Sequence, residues 1–481
     1  MQKSRMYWYK GFCLLAVLAV LSGCSLKSGW GIKQPEKSLV QQTEEVLKLS
    51  EKAENAEAAE EVPEAAGDME AAEDVSEASE KSKMQEIQMV QETLPSVYDA
   101  RQQGKTPNVK NQGLDGNCWA YAALSALEIS LLPEYRADFS VSHLTQDWSP
   151  YLQGKVGGDY TMSMAYLLSW RGPILTKEEE KGVVCHVQEV RVLEEKDISA
   201  IKQAVWNYGS VQTSFYSDFP ENGDGESKWY CVENSAYCCL EEHSANHDVV
   251  ILGWDDTYPK ENFVVPPESD GAFLCLNSWG EQFGQNGYFY VSYEDTVIGT
   301  YAVIYSATDT EGMFRYQHLY ETDACGWMGQ IGYHTEDIWF SNIYTAEREE
   351  WLAAAGFYVL EPGSTYEVFI KMDWEGQQDF CGYERVAAGA VDFMGYSTVP
   401  FDRQVKISRG ERFAVIVKLH APSGQAAAAV EFWREDIRAE IEDGEGYLSW
   451  NGEDWERAEN VQSCNLCLKA YTIEEIQTEH K

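Results

Sequence analysis

Residues Trp119 to Leu132 form a run dominated by Ala and Leu in which Glu128 is the only charge. A helix over this run is apolar almost all round, so it belongs at the centre of a fold rather than on a surface. Glycines and Asn make Lys110 to Asn117 a loop, and Cys118 stands where loop becomes helix. The first turn of a helix offers unpaired N–H groups and the positive end of the macrodipole, and both favour thiolate over thiol. A free cysteine is more often just a small buried hydrophobe, so this thiol needs partners before it carries a function.

Candidate partners lie downstream. Asn246-His247-Asp248 precedes the strand-like run Val249 to Trp254, and Phe273 to Leu276 leads into Asn277-Ser278-Trp279-Gly280. A nucleophilic thiol needs a base, and the base needs a group that orients it. Cys, then His, then Asn is the chain order of papain-like proteases. On these residues the segment 94–305 resembles a papain-family (C1) cysteine peptidase. Gln112 matches the family's oxyanion glutamine, Cys118-Trp119-Ala120 its nucleophile motif, and Glu128 its helix glutamate. Gly157-Gly158 matches the glycine pair whose backbone holds extended substrate. Asn246-His247 and Asn277 to Gly280 match the base and orienting motifs.

The resemblance implies an α+β fold, a two-lobed peptidase with the cleft between its lobes. It also implies roles. His247 takes the proton of Cys118, Asn277 holds the far ring nitrogen, and Trp279 shields that bond from water. Gln112 and the Cys118 N–H face the oxyanion, and neither cofactor nor metal is needed. Three departures stand out. Where many relatives bridge two cysteines, this chain has Asp115 and Lys155, for which an ion pair is the expected substitute. Phe283 replaces a common Trp, and Asp218 to Glu242 reads as an insertion near the cleft.

Other metal and redox patterns are weak. His243 and His247 are spaced i, i+4, but Ser244 stands where a zincin has Glu. Cys464 and Cys467 form one isolated C-x-x-C that reads as structural. Apart from Cys13, Cys24 and Cys118, nine cysteines remain, namely 185, 231, 238, 239, 275, 325, 381, 464 and 467, and their pairing is open.

The chain ends read differently from its middle. Lys3, Arg5 and Lys10 precede an apolar run, Phe12 to Leu21, too short to span a bilayer. Leu21-Ser22-Gly23-Cys24 resembles the bacterial lipobox, so 1–23 is expected to be a signal peptide and Cys24 a lipidated mature N-terminus. Residues 24–93 are rich in Glu, Ala, Ser and Lys, and cannot bury enough apolar surface to fold; they read as a stalk. A propeptide is the alternative. The whole chain carries 79 acidic against 37 basic side chains, a formal charge of −42, which excludes a nucleic-acid partner.

From 312 to 473 the pattern turns to strands separated by turns such as Glu361-Pro362-Gly363. An all-β sandwich is expected. It is similar to the lectin-like domain that follows C1 peptidase modules in bacterial surface proteins. The reading is thus a lipid-anchored cysteine endopeptidase on the outer face of a bacterial membrane, acting on proteins or peptides, with an accessory domain for cell-surface glycan. A non-catalytic adhesin and a transpeptidase using the same acyl-enzyme are the alternatives.

Overall fold

A computed structural model describes residues 7–9, 94–153, 157–177, 179–219, 226–307 and 316–474. Cys24, the lipobox and the stalk lie outside the described residues. So does Lys155, and with it the expected Asp115–Lys155 pair.

Helix α1 (Cys118–Leu131) forms where the apolar run requires one, and nearly all of its residues are buried. Its one charge is held inside. Glu128 accepts from the Lys110 ammonium at 2.6 Å and from the Phe139 N–H at 2.7 Å. That pair ties the central helix to the loop bearing Gln112. Helix α2 (Val141–Trp148) starts at Ser140, whose hydroxyl accepts the His143 N–H at 3.2 Å. Helix α3 (Tyr160–Leu168) starts at Asp159, which accepts the Thr161 N–H at 3.0 Å. Such caps satisfy donors that a helix start leaves open. Both helices pack on α1, and together they make the helical lobe.

The opposite lobe is a sheet. Its strands are β1 (Glu189–Glu194), β2 (Val211–Phe215), β3 (His247–Asp255), β4 (Ala272–Leu276), β5 (Tyr288–Ser292) and β6 (Tyr301–Ser306). They run β1-β6-β2-β3-β4-β5, each pair antiparallel. Strands β2 and β4 are buried throughout, and β4 accordingly reads as a continuous apolar run rather than an alternating one.

The expected sandwich follows. One sheet contains β7 (Asp337–Thr345), β9 (Ser364–Lys371) and β11 (Arg412–His420), in the order β9-β11-β7. The facing layer holds β8 (Glu350–Val359), β10 (Met394–Ile407) and β12 (Leu468–Ile473), in the order β12-β8-β10. Phe340 and Phe357 meet between the layers, ring centroids 6.2 Å apart.

This second layer does not stop at the sandwich. Strand β10 pairs with β1 of the peptidase sheet, Met394 opposite Val192 through Ser397 opposite Glu189. Separately, Leu152 bridges Ile437, the Gln153 N–H donates to the Asp436 carbonyl at 3.0 Å, and the Arg438 N–H donates to the Tyr151 carbonyl at 2.8 Å. The two halves therefore share one hydrogen-bonded sheet. The cysteines among the described residues are free thiols, and Cys464 and Cys467 are buried in the sandwich.

Candidate active site

Cys118 is the first residue of α1, and the backbone N–H groups of Trp119 and Asp248 favour its thiolate. His247 opens β3 and is buried. Asp248 is the residue after His247, and the helix that Cys118 opens packs against the strand that His247 opens.

Asn277 follows the last residue of β4. Its Oδ1 lies 2.8 Å from His247 Nε2 and also accepts the Ser278 N–H at 2.8 Å. The second bond fixes the amide orientation, because the reversed amide would set two donors against each other. Nε2 therefore carries the proton and Nδ1 is the basic nitrogen. The Trp279 indole stacks on the imidazole, centroids 4.5 Å apart and planes 30° apart. Phe283 packs edge-on against Trp279 at 4.9 Å, so the smaller aromatic still buttresses the shield. The described part of the insertion joins this cluster: Phe219 meets Trp279 at 5.3 Å, and Tyr230 stacks on Phe283 at 5.3 Å.

Gln112 is held from both sides. The Ser278 hydroxyl donates to its Oε1 at 2.5 Å, while its Nε2 donates to the Asp115 carbonyl at 2.8 Å. The Gln112 N–H bonds the Ser278 carbonyl at 2.8 Å. Loop and Asn-Ser-Trp-Gly motif are thus laced together, leaving one amide hydrogen of Gln112 for another acceptor.

The glycine pair lies against the same helix start. Gly157 has φ +89°, and a Cβ on Gly158 would come within 2.6 Å of the Trp119 indole. Only glycine fits that approach.

Electrostatically, the resting site does not match the expectation from the helix dipole. Burial pushes the Cys118 thiol up to about 12, with the Asp248 carboxylate adding to the rise, and the N–H donors only partly offset this. Burial likewise pulls His247 down to about 4, against the opposing bond to Asn277. A lone charge on either group is therefore costly here.

His243 does not join His247 in a metal site. It stacks on Tyr216 at 3.9 Å and lies 3.3 Å from Glu241, whereas His247 is committed to Asn277. Asp248 and its bonding partners are not singled out by the sequence motifs. A readable signal exists, since Asp248 is the one carboxylate at the head of an otherwise apolar run.

Comparison with known proteins bears on both halves of the chain. Residues 150–307 match the papain family cysteine protease model, and residues 319–472 match the lectin-like domain model. The chain carries a papain-family peptidase domain followed by a lectin-like domain. Gln112 and Cys118 precede the matched peptidase segment, so their assignment stands on local pattern and contacts. Mouse pro-cathepsin H is 26% identical over 215 residues, covering 41% of this chain and 60% of that protein. Mouse cathepsin K is 25% identical over 220 residues, covering 40% and 59%. The chain thus spans about three fifths of the length of these curated relatives. Among solved structures, the clostridial cysteine protease Cwp84 after propeptide cleavage superposes with a TM-score of 0.68 at 26% identity, covering 79% of this chain and all of that one. A second structure comprises the cysteine protease and lectin-like domains of Cwp84, a surface layer associated protein of Clostridium difficile. It gives 0.68 at 25% identity, over 79% of this chain and 89% of that one.

Proposed function

We propose that the chain is a cysteine endopeptidase acting on proteins or peptides at a bacterial cell surface. The observation that carries this reading is the 2.8 Å bond from His247 Nε2 to Asn277 beneath Trp279. It leaves Nδ1 as the base, on the strand that packs against the helix opened by Cys118.

The reaction follows from those atoms. His247 Nδ1 takes the Cys118 proton as the sulfur attacks the substrate carbonyl carbon. The carbonyl oxygen becomes an anion facing the Cys118 N–H and the uncommitted Gln112 amide hydrogen. Imidazolium then gives its proton to the leaving amine, the C–N bond breaks, and an acyl-thioester remains. Water, deprotonated by His247, attacks the thioester; the acid leaves and the thiol is restored. Gly157 and Gly158 present backbone to an extended substrate.

The lectin-like domain is read as an accessory binding module for cell-surface glycan, with Trp433 at 61% and Trp450 at 42% exposure as its open aromatic faces. Residues 1–23 are read as signal peptide, Cys24 as a lipid anchor and 24–93 as a stalk carrying the folded part 94–473. Cwp84 being surface layer associated supports the address. The test is hydrolysis of a mixed peptide library, read by mass spectrometry, with Cys118→Ala as control. New termini that vanish in the variant support the reading. Cleavage that survives in Cys118→Ala contradicts it, and so does an intact library with folded wild-type protein. Ligated products appearing with added amine turn it toward transpeptidation.

A further inference from the structure

The mechanism leaves one buried ionisable group beside the reacting atoms unused. Asp248 accepts from Gln212 Nε2 at 2.7 Å on one oxygen. Its other oxygen accepts from the Ser214 hydroxyl and, at 3.3 Å, from the Tyr301 hydroxyl. Gln212 is itself fixed, donating to the Trp119 carbonyl at 3.2 Å and accepting from the Tyr305 hydroxyl at 2.6 Å. The Ser214 hydroxyl is in turn bonded to the Tyr301 hydroxyl, so Tyr301 supports the carboxyl group largely through Ser214, and the group sits against the first turn of α1. Among the described residues no cation pairs with it.

We propose that Asp248 is a positioning residue of electrostatic type: its carboxylate, held by Ser214, Gln212 and Tyr301, sets the pH range over which Cys118 and His247 exist as thiolate and imidazolium. The proposal rests on the peptidase reading above. Its argument is one of charge. The thiol–imidazolium form loses a proton to become the ion pair, and the ion pair loses another to become thiolate–imidazole. Each loss removes positive charge next to a fixed negative one, so an ionised Asp248 raises both steps. Cys118 is raised by Asp248 in this way.

The other ionisable groups around the carboxyl do not neutralise it. Asp159 and Tyr160 at the start of α3, and Tyr301 and Tyr305 on β6, are acidic or neutral. Lys110 and Tyr121 line the same small cavity, but the Lys110 ammonium is bonded to Glu128 and to the Phe139 carbonyl. Burial pushes Asp248 itself up to about 6. The carboxylate is therefore more fully ionised across the upper step than across the lower one. The upper step carries the larger displacement.

The test is the rate of Cys118 alkylation by iodoacetate between pH 4 and 10, read on the Cys118 peptide by mass spectrometry in the full-length protein. The reagent is an anion, so its rate rises as thiolate forms and falls as imidazolium is lost. Asp248→Asn is expected to move the upper limb down by about one pH unit, and the lower limb by less. Tyr301→Phe keeps the carboxylate but removes one donor, so Asp248 stays protonated further; only the lower limb moves down. This second variant serves if Asp248→Asn does not fold. Limbs that stay in place in either folded variant overturn the proposal, as does a uniform loss of rate, which marks a purely structural role. A wild-type Cys118 without a reactive window at low pH contradicts the peptidase reading and the proposal together. A reactive window that Asp248→Asn leaves unmoved contradicts the proposal alone.

Discussion

The two halves of the molecule each bury a polar cluster, and they do so in opposite ways. In the sandwich, the Lys469 ammonium is 1% exposed and bonded to Asp323 at 2.8 Å and to Glu321 at 2.5 Å. One ammonium there serves two carboxylates by direct contact. In the peptidase half, His247 and Asp248 are buried at the head of β3 and Cys118 is half-buried at the head of α1, with no fixed cation among them. Compensated burial makes a strut. Uncompensated burial makes a site whose protons move, because each single ion is penalised.

Breaking the two clusters should have different consequences. The largest effect is expected at Asn277. Asn277→Ala frees the imidazole to turn and to exchange tautomers, and peptide hydrolysis should fall by roughly 100-fold or more while the urea midpoint stays near wild type. Steady-state kinetics beside urea denaturation decide it; a fall in stability that matches the fall in rate would make Asn277 a strut instead. Lys469→Ala should do the reverse. It leaves Asp323 and Glu321 without their cation and should cost about 3–5 kcal/mol of stability, with kcat/KM per folded molecule nearly unchanged. Because β10 and β1 share a sheet, unfolding in that variant should remain a single transition by both fluorescence and activity.

A strut also exists inside the peptidase half, and it sharpens the contrast. Lys110→Met strands Glu128 in the core and is expected to cost about 3 kcal/mol. Lys110→Met with Glu128→Leu should recover much of it, since no buried charge is then left alone. Thermal unfolding of the three proteins reads this directly. No comparable rescue exists for His247, whose role is to change charge.

The smallest effect concerns pH. His247 is held near 4, below its unfolded value of about 6.5, so the unfolded chain takes up this proton first. Stability is lost as pH falls from about 6.5 toward 4. Asp248 is raised to about 6, so the folded chain takes up that proton first, and stability is regained as pH falls from about 6 toward 4. The two contributions oppose each other over the same window. Asp248→Asn should therefore lose more stability than wild type between pH 6.5 and 4, by about 2–3 kcal/mol. Urea midpoints at the two pH values test the sign.

Much of the peptidase half is legible in the sequence because its chemistry is written in local strings. Cys118 at a helix start, His247 before an apolar strand and Asn277 after another each announce themselves within a few residues, and the fold joins His247 to Asn277 directly. The strands of the sandwich are also readable, since Arg412 to Leu419 and Ala429 to Trp433 are largely apolar; the first falls in Arg412–His420, and the second in Ala427–Phe432 except for Trp433, just past its end. What stays hidden is pairing between distant segments. Nothing local in Glu189 to Glu194 says that Met394 to Ser397 will lie beside it. Glu128 is visible as a lone charge, but its partner Lys110 lies in a loop and is found only in space. The helix-start argument for Cys118 is incomplete for a similar reason: it counts the donors of the first turn, which do favour thiolate, and cannot count the desolvation that opposes them.

The central claim is that Cys118 is a nucleophile activated by His247. The most direct measurement is labelling of the full-length protein by a biotinylated epoxide probe for cysteine peptidases, beside Cys118→Ala and His247→Ala. Labelling that disappears without Cys118 and falls at least roughly tenfold without His247 is the predicted result. Equal labelling of wild type and His247→Ala, or none in folded and reduced wild type, would contradict it.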